Sequence, residues 1–334
     1  MNMPFVSICI PSYNRPDTLL RLLKTIDSKS DDIQIVICED MAPRRAEVRA
    51  VVEGFRSETR YEVKYIENSV NKGYDWNIRD FIIHADGEYI MYMGDDDGFI
   101  PGRLDDVLTF LRNNRQIGYM LRSSVRPSGE EMRYYSDTKF FDAGVEAYQE
   151  LYRKSVFISG FTFKREWALN TMTDRFDGSL LYQLYILAEV CVNHPSAYLN
   201  IPFTQDYPDE KTFYFGSSEK EKGLYSPGKI TVSSQMNFVS GFLKIAKYVD
   251  EKYRINSLVY IKKDISKYSY PILWWLMRVG RLIMLKGAFE MIRMGLGRTI
   301  YFYFYVFGLI FLGSSLCDRL IYFIKRKLGH TPQL

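Results

Sequence analysis

Three consecutive aspartates stand between an apolar run and a glycine in the segment MYMGDDDGF, residues 91–99. Carboxylates at this spacing repel one another and aspartate is depleted from strands, so Asp95, Asp96 and Asp97 require either full solvation or a cation. Solvation in a turn is one interpretation, because Asp and Gly are ordinary turn residues. The other is a site for Mg²⁺ or Mn²⁺, which bind carboxylate oxygens and complete their coordination with phosphate oxygens and water.

Polar side chains also follow three earlier predicted strands. They are Ser12, Tyr13 and Asn14 after the first strand, Glu39 and Asp40 at the end of the second, and Asn68 and Asn71 after the third. Ligands of parallel α/β sheets bind at the carboxyl ends of the strands, so four such strand ends favour a functional site over chance decoration of loops. In that site Asp40 would suit a hydrogen bond to a base or a ribose.

Hydrophobic periodicity predicts the elements that position these residues. Apolar or alternating runs predict strands at 5–10, 33–40, 61–68 and 87–97, with helical spacing between them. Strands that alternate with helices at this pitch indicate an α/β protein with a parallel, doubly wound sheet. Beyond it we predict a helix at 104–114, a strand at 117–125, a helix at 145–155, a strand turning into a helix at 156–169, a helix at 179–193 and a mobile loop or linker at 204–229.

The composition argues against several other classes of protein. With 47% hydrophobic residues among 334, the chain can bury a large core. The four cysteines are scattered without a CxxC pair and the three histidines are dispersed, so neither a disulfide framework nor a zinc site is expected. No Walker loop or GxGxxG follows the first strand, which argues against a P-loop enzyme or a dinucleotide oxidoreductase. The N-terminal segment lacks the basic region of a signal peptide, so we expect a reducing cytoplasm.

Four ordered segments within residues 4–125 carry a resemblance to a known family. They are VSICIPSYNRPDTLLRLLKTI, IVICED, NSVNKGYDWN and ADGEYIMYMGDDDGF. Together they resemble the GT-A nucleotide-sugar-binding domain of glycosyltransferase family 2, and the MGDDDG form is similar to a branch with bacterial O-antigen transferases of the abequosyltransferase type. The resemblance implies a GT-A, Rossmann-like, mixed and mainly parallel sheet. It also implies inverting transfer of a sugar from a nucleotide diphosphate donor, assisted by Mg²⁺ or Mn²⁺.

The resemblance also assigns roles to residues at matching positions of this chain. Those beside the nucleotide are Pro11, Ser12, Tyr13, Asp40 at the base, and Asn71, Gly73 and Asn77 of an NxGxxxN block. Spaced forward from Gly87, the first Asp of the family's DxD element falls on Gly94, whereas Asp95 and Asp97 make a DxD of their own. We therefore keep Asp95, Asp96 and Asp97 as metal candidates, the first two also as nucleotide contacts.

Inverting transfer requires a base that removes the proton of the acceptor hydroxyl, typically a carboxylate. Most relatives carry an acidic pair after an FD element, but here Tyr182 and Gln183 stand at about that place. Asp177 is our first candidate for the base, and the next candidates are Asp174 and Glu189. The alternative for Asp177 is a structural role as the N-cap of the following helix.

The C-terminal region differs in charge from the rest of the chain. Residues 231–334 contain 16 Lys and Arg against 5 Asp and Glu, whereas residues 1–230 contain 28 against 35. A basic, aromatic and apolar tail suggests an anionic membrane surface at least as strongly as nucleic acid. Residues 300–317 carry no charge and are just long enough to span a bilayer, but basic residues on both flanks favour a re-entrant or in-plane helix.

Residues 270–295 are predicted to form one amphipathic helix. Its apolar half would contain Leu273, Leu276, Met277, Met284 and Met291. A helix packed on its own domain is one interpretation of this pattern. The other is a helix that lies in the membrane interface through its apolar face.

The sequence thus predicts a GT-A domain at 1–230, with a nucleotide-sugar half at about 1–125 and an acceptor half at about 126–230, followed by a helical membrane-associating tail at 231–334. The predicted function is transfer of a sugar onto a polyprenyl-diphosphate-linked glycan of O-antigen type at the cytoplasmic face of the bacterial inner membrane, with no nucleic-acid partner. Two alternatives stay open: a nucleotidyltransferase, and a non-catalytic membrane-bound glycan-binding protein with a degenerate transferase domain.

Overall fold

A computed structural model describes residues 3–208 and 214–328 of the chain. It divides into two compact units, Met1–Glu221 and Lys222–Leu334. The boundary between them lies at Glu221, whereas the sequence placed it at residue 230. The first unit contains the sheet and the second is helical.

The first unit alternates strands and helices along most of its length. Its elements are β1 Val6–Ser12, α1 Pro16–Thr25, β2 Ile33–Glu39, α2 Arg45–Glu58, β3 Glu62–Glu67, α3 Tyr74–His84, β4 Tyr89–Tyr92, β5 Asp97–Phe99, α4 Arg103–Asn113, β6 Tyr119–Val125, β7 Glu131–Met132, β8 Lys139–Phe141, α5 Val145–Leu151, a 3₁₀ turn Tyr152–Ser155, β9 Phe161–Lys164, α6 Arg165–Leu169, α7 Tyr182–Asn193 and β10 Ser196–Asp206. The second unit contains α8 Val232–Tyr253, α9 Leu258–Lys267, α10 Tyr270–Val279, α11 Arg281–Arg293 and α12 Ile300–Leu328.

The strands form a mixed sheet in the order β3-β2-β1-β4-β9-β6-β10-β5, with β7 beside β6 and β8 beside β10. Strands β1 to β4 are parallel, and so are β6 and β10. Strand β9 is antiparallel to both β4 and β6, so β6 runs in the same direction as β4. The predicted mixed, mainly parallel α/β sheet is confirmed. The carboxyl ends of β1 to β4 and of β6 therefore meet at one edge.

The core of the first unit forms where the predicted apolar faces meet. Leu19, Leu22 and Leu23 of α1 are fully buried, and they share a cluster with Ile8 and Ile10 of β1. Burial of each such side chain contributes about 1.5–3 kcal/mol relative to an exposed position. This packing holds the segment between β1 and α1 at the carboxyl edge of the sheet.

The fourth predicted strand is shorter than expected. Strand β4 ends at Tyr92, and Asp97 begins the separate strand β5, which pairs antiparallel with β10. Asp95 and Asp96 lie in the turn that reverses the chain between these strands, in keeping with the depletion of aspartate from strands. The prediction of one strand at 87–97 that ends in all three aspartates is therefore wrong. Strand β10 also continues to Asp206, into the segment predicted as a loop at 204–229.

The prediction of a single helix at 270–295 is wrong. Extended backbone at Gly280, with φ 163° and ψ 148°, separates α10 from α11. Four residues of the predicted interfacial face are buried within the second unit, namely Leu273, Leu276, Met284 and Met291. This face packs on neighbouring helices, so it is not available to a membrane.

Candidate active site

The carboxylates of Asp95 and Asp96 converge on one cation at the carboxyl edge of the sheet. Nη1 of Arg15, in the loop after β1, lies 2.9 Å from Oδ1 of Asp95 and 3.3 Å from Oδ2 of Asp96. The backbone amide of Tyr13 also donates to Asp95, across 3.4 Å. Burial raises the pKa of Asp95 to about 6, against the opposing effect of Arg15. The arrangement holds two carboxylates against a shared positive charge.

Asp97 has a different partner, although it lies close to Asp96. Its carboxylate accepts a hydrogen bond from the hydroxyl of Ser159, which in turn accepts one from the amide of Gly94 across 3.0 Å. A Cβ at Gly94 would lie 3.1 Å from Oδ1 of Asp96 and 3.5 Å from Oδ2 of Asp97. The glycine therefore leaves space between these two carboxylates that a side chain would fill.

Asp95 and Asp96 have the donor chemistry of a divalent cation site. Within residues 3–208 and 214–328, no group of three or more His, Cys, Asp or Glu side chains is arranged to hold a metal ion by itself. The two carboxylates nevertheless already share one cation, the guanidinium of Arg15, and Mg²⁺ is held in proteins by as few as one or two carboxylates plus substrate phosphates. The pair thus fits an ion whose other ligands come from a substrate.

Asp40 organises the loop that precedes α3. Its Oδ1 accepts hydrogen bonds from the side-chain amide of Asn68 at 2.9 Å and from the backbone of Lys72 at 2.8 Å, and its Oδ2 accepts one from Gly73 at 2.9 Å. An ionised carboxylate has about four acceptor positions, so these bonds leave room for about one more. The structure therefore gives Asp40 a loop-shaping role and limited capacity to contact a nucleotide base.

The NxGxxxN residues form one hydrogen-bonded group at the start of α3. The side chain of Asn77 donates to the carbonyl of Gly73 at 2.8 Å and accepts from Asn68 at 2.9 Å. Asn71 accepts from the amide of Gly73 at 3.1 Å. Gly73 itself has φ +88°, a conformation that glycine adopts readily and other residues do not. The structure thus brings Asp40, Asn71, Gly73 and Asn77 together, and their contact with a nucleotide stays a prediction.

Part of the segment predicted to be a mobile loop or linker lies against this site. We name residues 214–221 the covering segment. Glu221 accepts hydrogen bonds from the amides of Tyr74 and Gly216, each at 2.8 Å. The ring of Tyr214 contacts that of Tyr13 with centroids 5.3 Å apart, and its hydroxyl accepts from Asn14 at 3.2 Å. The adjacent aromatic residues Tyr214 and Phe215, within an otherwise polar stretch, are the feature of the sequence that could have indicated this contact.

The remaining nucleotide candidates lie at the end of β1. Pro11 and Ser12 are the last two residues of that strand and pair in register with Cys38 and Glu39 of β2. Ser12 is buried, and Tyr13 follows it toward Tyr214. All the predicted nucleotide residues thus belong to the carboxyl edge of the sheet.

The structure changes the account of Asp177. Helix α7 begins at Tyr182, so the prediction that Asp177 caps it is wrong. The cap is Asp75 of α3, whose carboxylate accepts from the amides of Leu180 at 2.8 Å and Tyr182 at 2.9 Å. Asp177 is ion-paired with Arg79. Burial raises the pKa of Asp177 and Arg79 opposes that change.

The other residues considered for the base lie on or near α7. Tyr182, Gln183 and Glu189 are buried in that helix. Asp174 lies close enough to Asp177 for its charge to raise the pKa of Asp177. The assignment of Asp177 as the base stays a prediction.

Asp75 is expected to make stability depend on pH. Burial raises its pKa to about 7, against two opposing amide hydrogen bonds. Between about pH 4 and pH 7 the folded chain therefore keeps a proton that the unfolded chain has released, so the free energy of unfolding falls as pH rises through this window. Asp75→Asn should flatten that slope. Urea midpoints at pH 5 and pH 7.5 for both proteins test this, and an equal change in both would contradict it.

Comparisons with known proteins agree with this architecture. Residues 7–170 match the model of glycosyl transferase family 2. A GalNAc(5)-diNAcBac-PP-undecaprenol beta-1,3-glucosyltransferase of Campylobacter jejuni is 19% identical over 270 residues, covering 80% of this chain and 81% of the relative. Abequosyltransferase RfbV of Salmonella typhimurium is 30% identical over 115 residues, covering 34% of each chain.

Solved structures share the fold at low sequence identity. Residues 1–349 of S. aureus TarS in complex with UDP-GlcNAc superpose with a TM-score of 0.54 and 14% identity, over 73% of this chain and 66% of that one. Mannosyltransferase PcManGT from Pyrobaculum calidifontis, in complex with GDP-Man and Mn²⁺, superposes with a TM-score of 0.52 and 12% identity, over 96% of this chain and 88% of that one. These likenesses confirm the GT-A fold class. The family match and the curated relatives together favour a sugar transferase over the nucleotidyltransferase and non-catalytic alternatives: residues 7–170 of this chain form a glycosyl transferase family 2 domain, and the chain is a glycosyltransferase.

Proposed function

We propose that this glycosyltransferase moves a sugar, with inversion, from a nucleoside diphosphate sugar to a polyprenyl-diphosphate-linked glycan during synthesis of a bacterial surface polysaccharide of O-antigen type. The observation that carries the proposal is the pair Asp95 and Asp96 at the same sheet edge as the Asp40, Asn71, Gly73 and Asn77 group. The names of two relatives support it, because one is a glucosyltransferase of an undecaprenol-linked glycan and the other is an abequosyltransferase.

The carboxyl edge has the charges that a diphosphate leaving group needs. Asp95 and Asp96 would hold Mg²⁺ or Mn²⁺, which when bound stabilises the negative charge of the departing diphosphate. Arg15 lies against both carboxylates and adds a fixed positive charge at the same place. Tyr13 and Tyr214 present aromatic rings next to it, where a nucleoside would pack.

We propose Asp177 as the base that accepts the proton of the acceptor hydroxyl. Its ion pair with Arg79 fixes the direction of the carboxylate, and burial raises its pKa toward the range where a carboxylate accepts a proton more readily. Asp177→Asn should then abolish turnover while donor binding is retained. Unchanged turnover in Asp177→Asn would assign the base to another residue.

Donor binding tests the proposed function directly. Thermal midpoints of the purified chain are measured with UDP, GDP, CDP and dTDP, each with and without Mn²⁺. A tight ligand raises the midpoint by mass action, and the shift should require Mn²⁺. Sugar transfer from the matching donor to a polyprenyl-diphosphate-linked glycan, with the anomeric configuration read by NMR, completes the test. The proposal fails if no nucleotide shifts the midpoint at any Mn²⁺ concentration.

We further propose that the second unit binds the cytoplasmic leaflet of the inner membrane through α12. Among the described residues, one helix segment is long and apolar enough to cross a membrane: Ile300–Ile321, with mean hydropathy 1.8 and 17% of it buried. Phe304 and Phe311 are 64% and 78% exposed. Exposed aromatics of this size and the basic flanks suit the interface of an anionic bilayer.

The shape of α12 supports insertion from one side. Gly313 has φ +74° and ψ 173°, which interrupts the helix. Residues 300–312 span about 20 Å at the helical rise, less than the hydrocarbon thickness of about 30 Å. A Cβ at Gly308 would lie 3.6 Å from Sγ of Cys317, although these positions would be about 13 Å apart along a continuous helix. Asp318 also accepts hydrogen bonds from Tyr270 and Trp274 of α10. The chain therefore folds back at Gly313 as a helical hairpin.

Gly313→Leu is expected to change the membrane topology. The backbone conformation at Gly313 is unfavourable for leucine, so the hairpin should open into a continuous helix that crosses the bilayer. A single cysteine is placed at Arg298 or at Lys327 in a cysteine-free chain, and an impermeant maleimide is applied to sealed vesicles. Both positions should react from one side in the parent and from opposite sides in Gly313→Leu. The helical Gly308→Ala serves as control, and opposite-sided labelling of the parent would contradict the hairpin insertion.

A further inference from the structure

Arg122 of β6 is a buried cation without a counter-charge. Its side chain belongs to a residue only 6% exposed, and its Nε and Nη1 have no hydrogen-bond partner. Within residues 3–208 and 214–328, no carboxylate forms an ion pair with it, whereas the partly buried Arg79 is paired with Asp177. An isolated charge with unsatisfied donors is costly to bury. A guanidinium kept in this state in the free protein indicates a position built for an anion that arrives from outside.

The surroundings of Arg122 hold its stem and leave an aromatic ring over its charged end. A Cβ at Gly160 would lie 2.7 Å from Cδ of Arg122 and 3.0 Å from the ring of Phe203, so the glycine allows the stem to pack closely. Cζ of Arg122 lies 5.9 Å from the ring centroid of Phe157, which is itself 64% exposed. An exposed phenyl ring beside a guanidinium suits a ligand that has both an anionic group and an apolar sugar face.

Arg122 belongs to the same sheet edge as the aspartates. Strand β6 runs parallel to β4, and Arg122 is the fourth of its seven residues. Its side chain reaches Gly160, whose amide donates to the carbonyl of Tyr92, the last residue of β4, at 2.8 Å. The loop before β9 connects the two places, because Ser159 donates to Asp97 while the next residue, Gly160, packs on Arg122. In the strand order, β6 lies on the far side of β4 from β1, β2 and β3, which position the nucleotide candidates. Arg122 therefore faces the half of the site that is left for the acceptor.

We infer that Arg122 binds an oxyanion of the acceptor, a phosphate or a carboxylate, and that Phe157 packs against the acceptor beside it. Guanidinium donors form their strongest hydrogen bonds with such groups. The oxyanion has two sources: the diphosphate of a lipid-linked acceptor, or the carboxylate of an acidic sugar. This inference rests on the proposed function in one respect only, namely that the molecule carrying the oxyanion is the acceptor.

Arg122→Met tests the inference without a transfer assay. Removal of an unpaired buried charge should raise the thermal midpoint of the free protein, whereas removal of a structural arginine lowers it. Arg165→Met is the matched control, because Nε of Arg165 donates to the carbonyl of Ile82 at 2.9 Å. A lower midpoint in both variants would overturn the inference and assign Arg122 a structural role.

Anion binding is then measured in EDTA by calorimetry with inorganic pyrophosphate and with glucuronate. At least one of these anions should bind the parent and Arg165→Met with similar affinity. The affinity of Arg122→Met for that anion should be at least tenfold lower, and that of Arg122→Lys should be intermediate. Pyrophosphate as the ligand favours the diphosphate source, and glucuronate favours the acidic sugar. Binding of neither to the parent, or equal binding to Arg122→Met, would overturn the inference.

Steady-state kinetics separates this inference from the proposed function. In a working transfer assay, Arg122→Met should raise KM for the acceptor at least tenfold and leave KM for the donor unchanged. An unchanged acceptor KM would contradict the role of Arg122 and leave the transferase reaction intact. Absence of any transfer in the parent would count against the proposed function, while the calorimetric result would still decide the anion site.

Discussion

Asp96→Asn is expected to lower kcat/KM for sugar transfer by about a hundredfold or more. The substitution removes one of the two negative charges that converge on Nη1 of Arg15, at 3.3 Å for Asp96. A bound divalent ion is worth several kcal/mol to the charge of the departing group, and each 1.4 kcal/mol is about a tenfold change in rate. Initial rates at saturating Mn²⁺, and Mn²⁺ binding followed by electron paramagnetic resonance, measure the two effects together.

The partly exposed Asp106 provides a matched control for this loss of charge. It lies on α4 and pairs with Arg103 one helical turn away, at 2.9 Å. Such surface pairs contribute about 0–1 kcal/mol, so Asp106→Asn should leave the rate, the Mn²⁺ affinity and the stability almost unchanged. If Asp96→Asn kept the parent's Mn²⁺ affinity and rate, the diphosphate and its metal would bind elsewhere.

Gly73→Ala is expected to destabilise the fold by about 3 kcal/mol or more, since a left-handed conformation costs an L-residue about 1–3 kcal/mol and a steric clash adds to it. Gly73 has φ +88°, and a Cβ there would collide with Oγ of Ser218 and lie 2.8 Å from Oε1 of Glu221. The covering segment must then leave the start of α3, where Glu221 accepts from the amide of Tyr74. Urea unfolding and nucleotide affinity should both report the change.

Gly102→Ala measures the cost of a positive φ without the clash. Gly102 has φ +75° and ψ −12°, in the left-handed region, and no atom lies within 4 Å of a Cβ built there. Only the strain remains, about 1–2 kcal/mol, and nucleotide binding should not change. Equal losses of stability in the two variants would show that the covering segment does not press on Gly73.

The local pattern of the sequence was sufficient for most of the first unit. Apolar runs at 5–10 and 33–40 became β1 and β2, because a strand buried on both faces needs a continuous apolar run. The spacing of Leu19, Leu22 and Leu23 became the buried face of α1. Asp40 and Gly73 met because parallel strands bring their carboxyl ends to one edge, a rule that needs no detailed coordinates.

Hydrophobic periodicity gave a wrong prediction where the apolar face of a helix could pack on more than one partner. An apolar face at 270–295 is compatible with a membrane and with a neighbouring helix, and the break at Gly280 lets α10 and α11 use it inside the second unit. Periodicity records that a face is apolar but not what covers it. The membrane contact is instead proposed for α12, whose large side chains stay exposed.

Contacts between residues distant in the sequence could be found only in the folded chain. Asp75 caps a helix that begins at Tyr182, and Glu221 accepts from the amide of Tyr74, across more than one hundred positions in each case. Arg122 follows three apolar or aromatic residues in its strand, and its lack of a counter-charge depends on which side chains surround it. Local periodicity sets where elements form, because it acts through neighbours in the chain. Pairing of charges and amides is set by packing, and packing is a property of the whole fold.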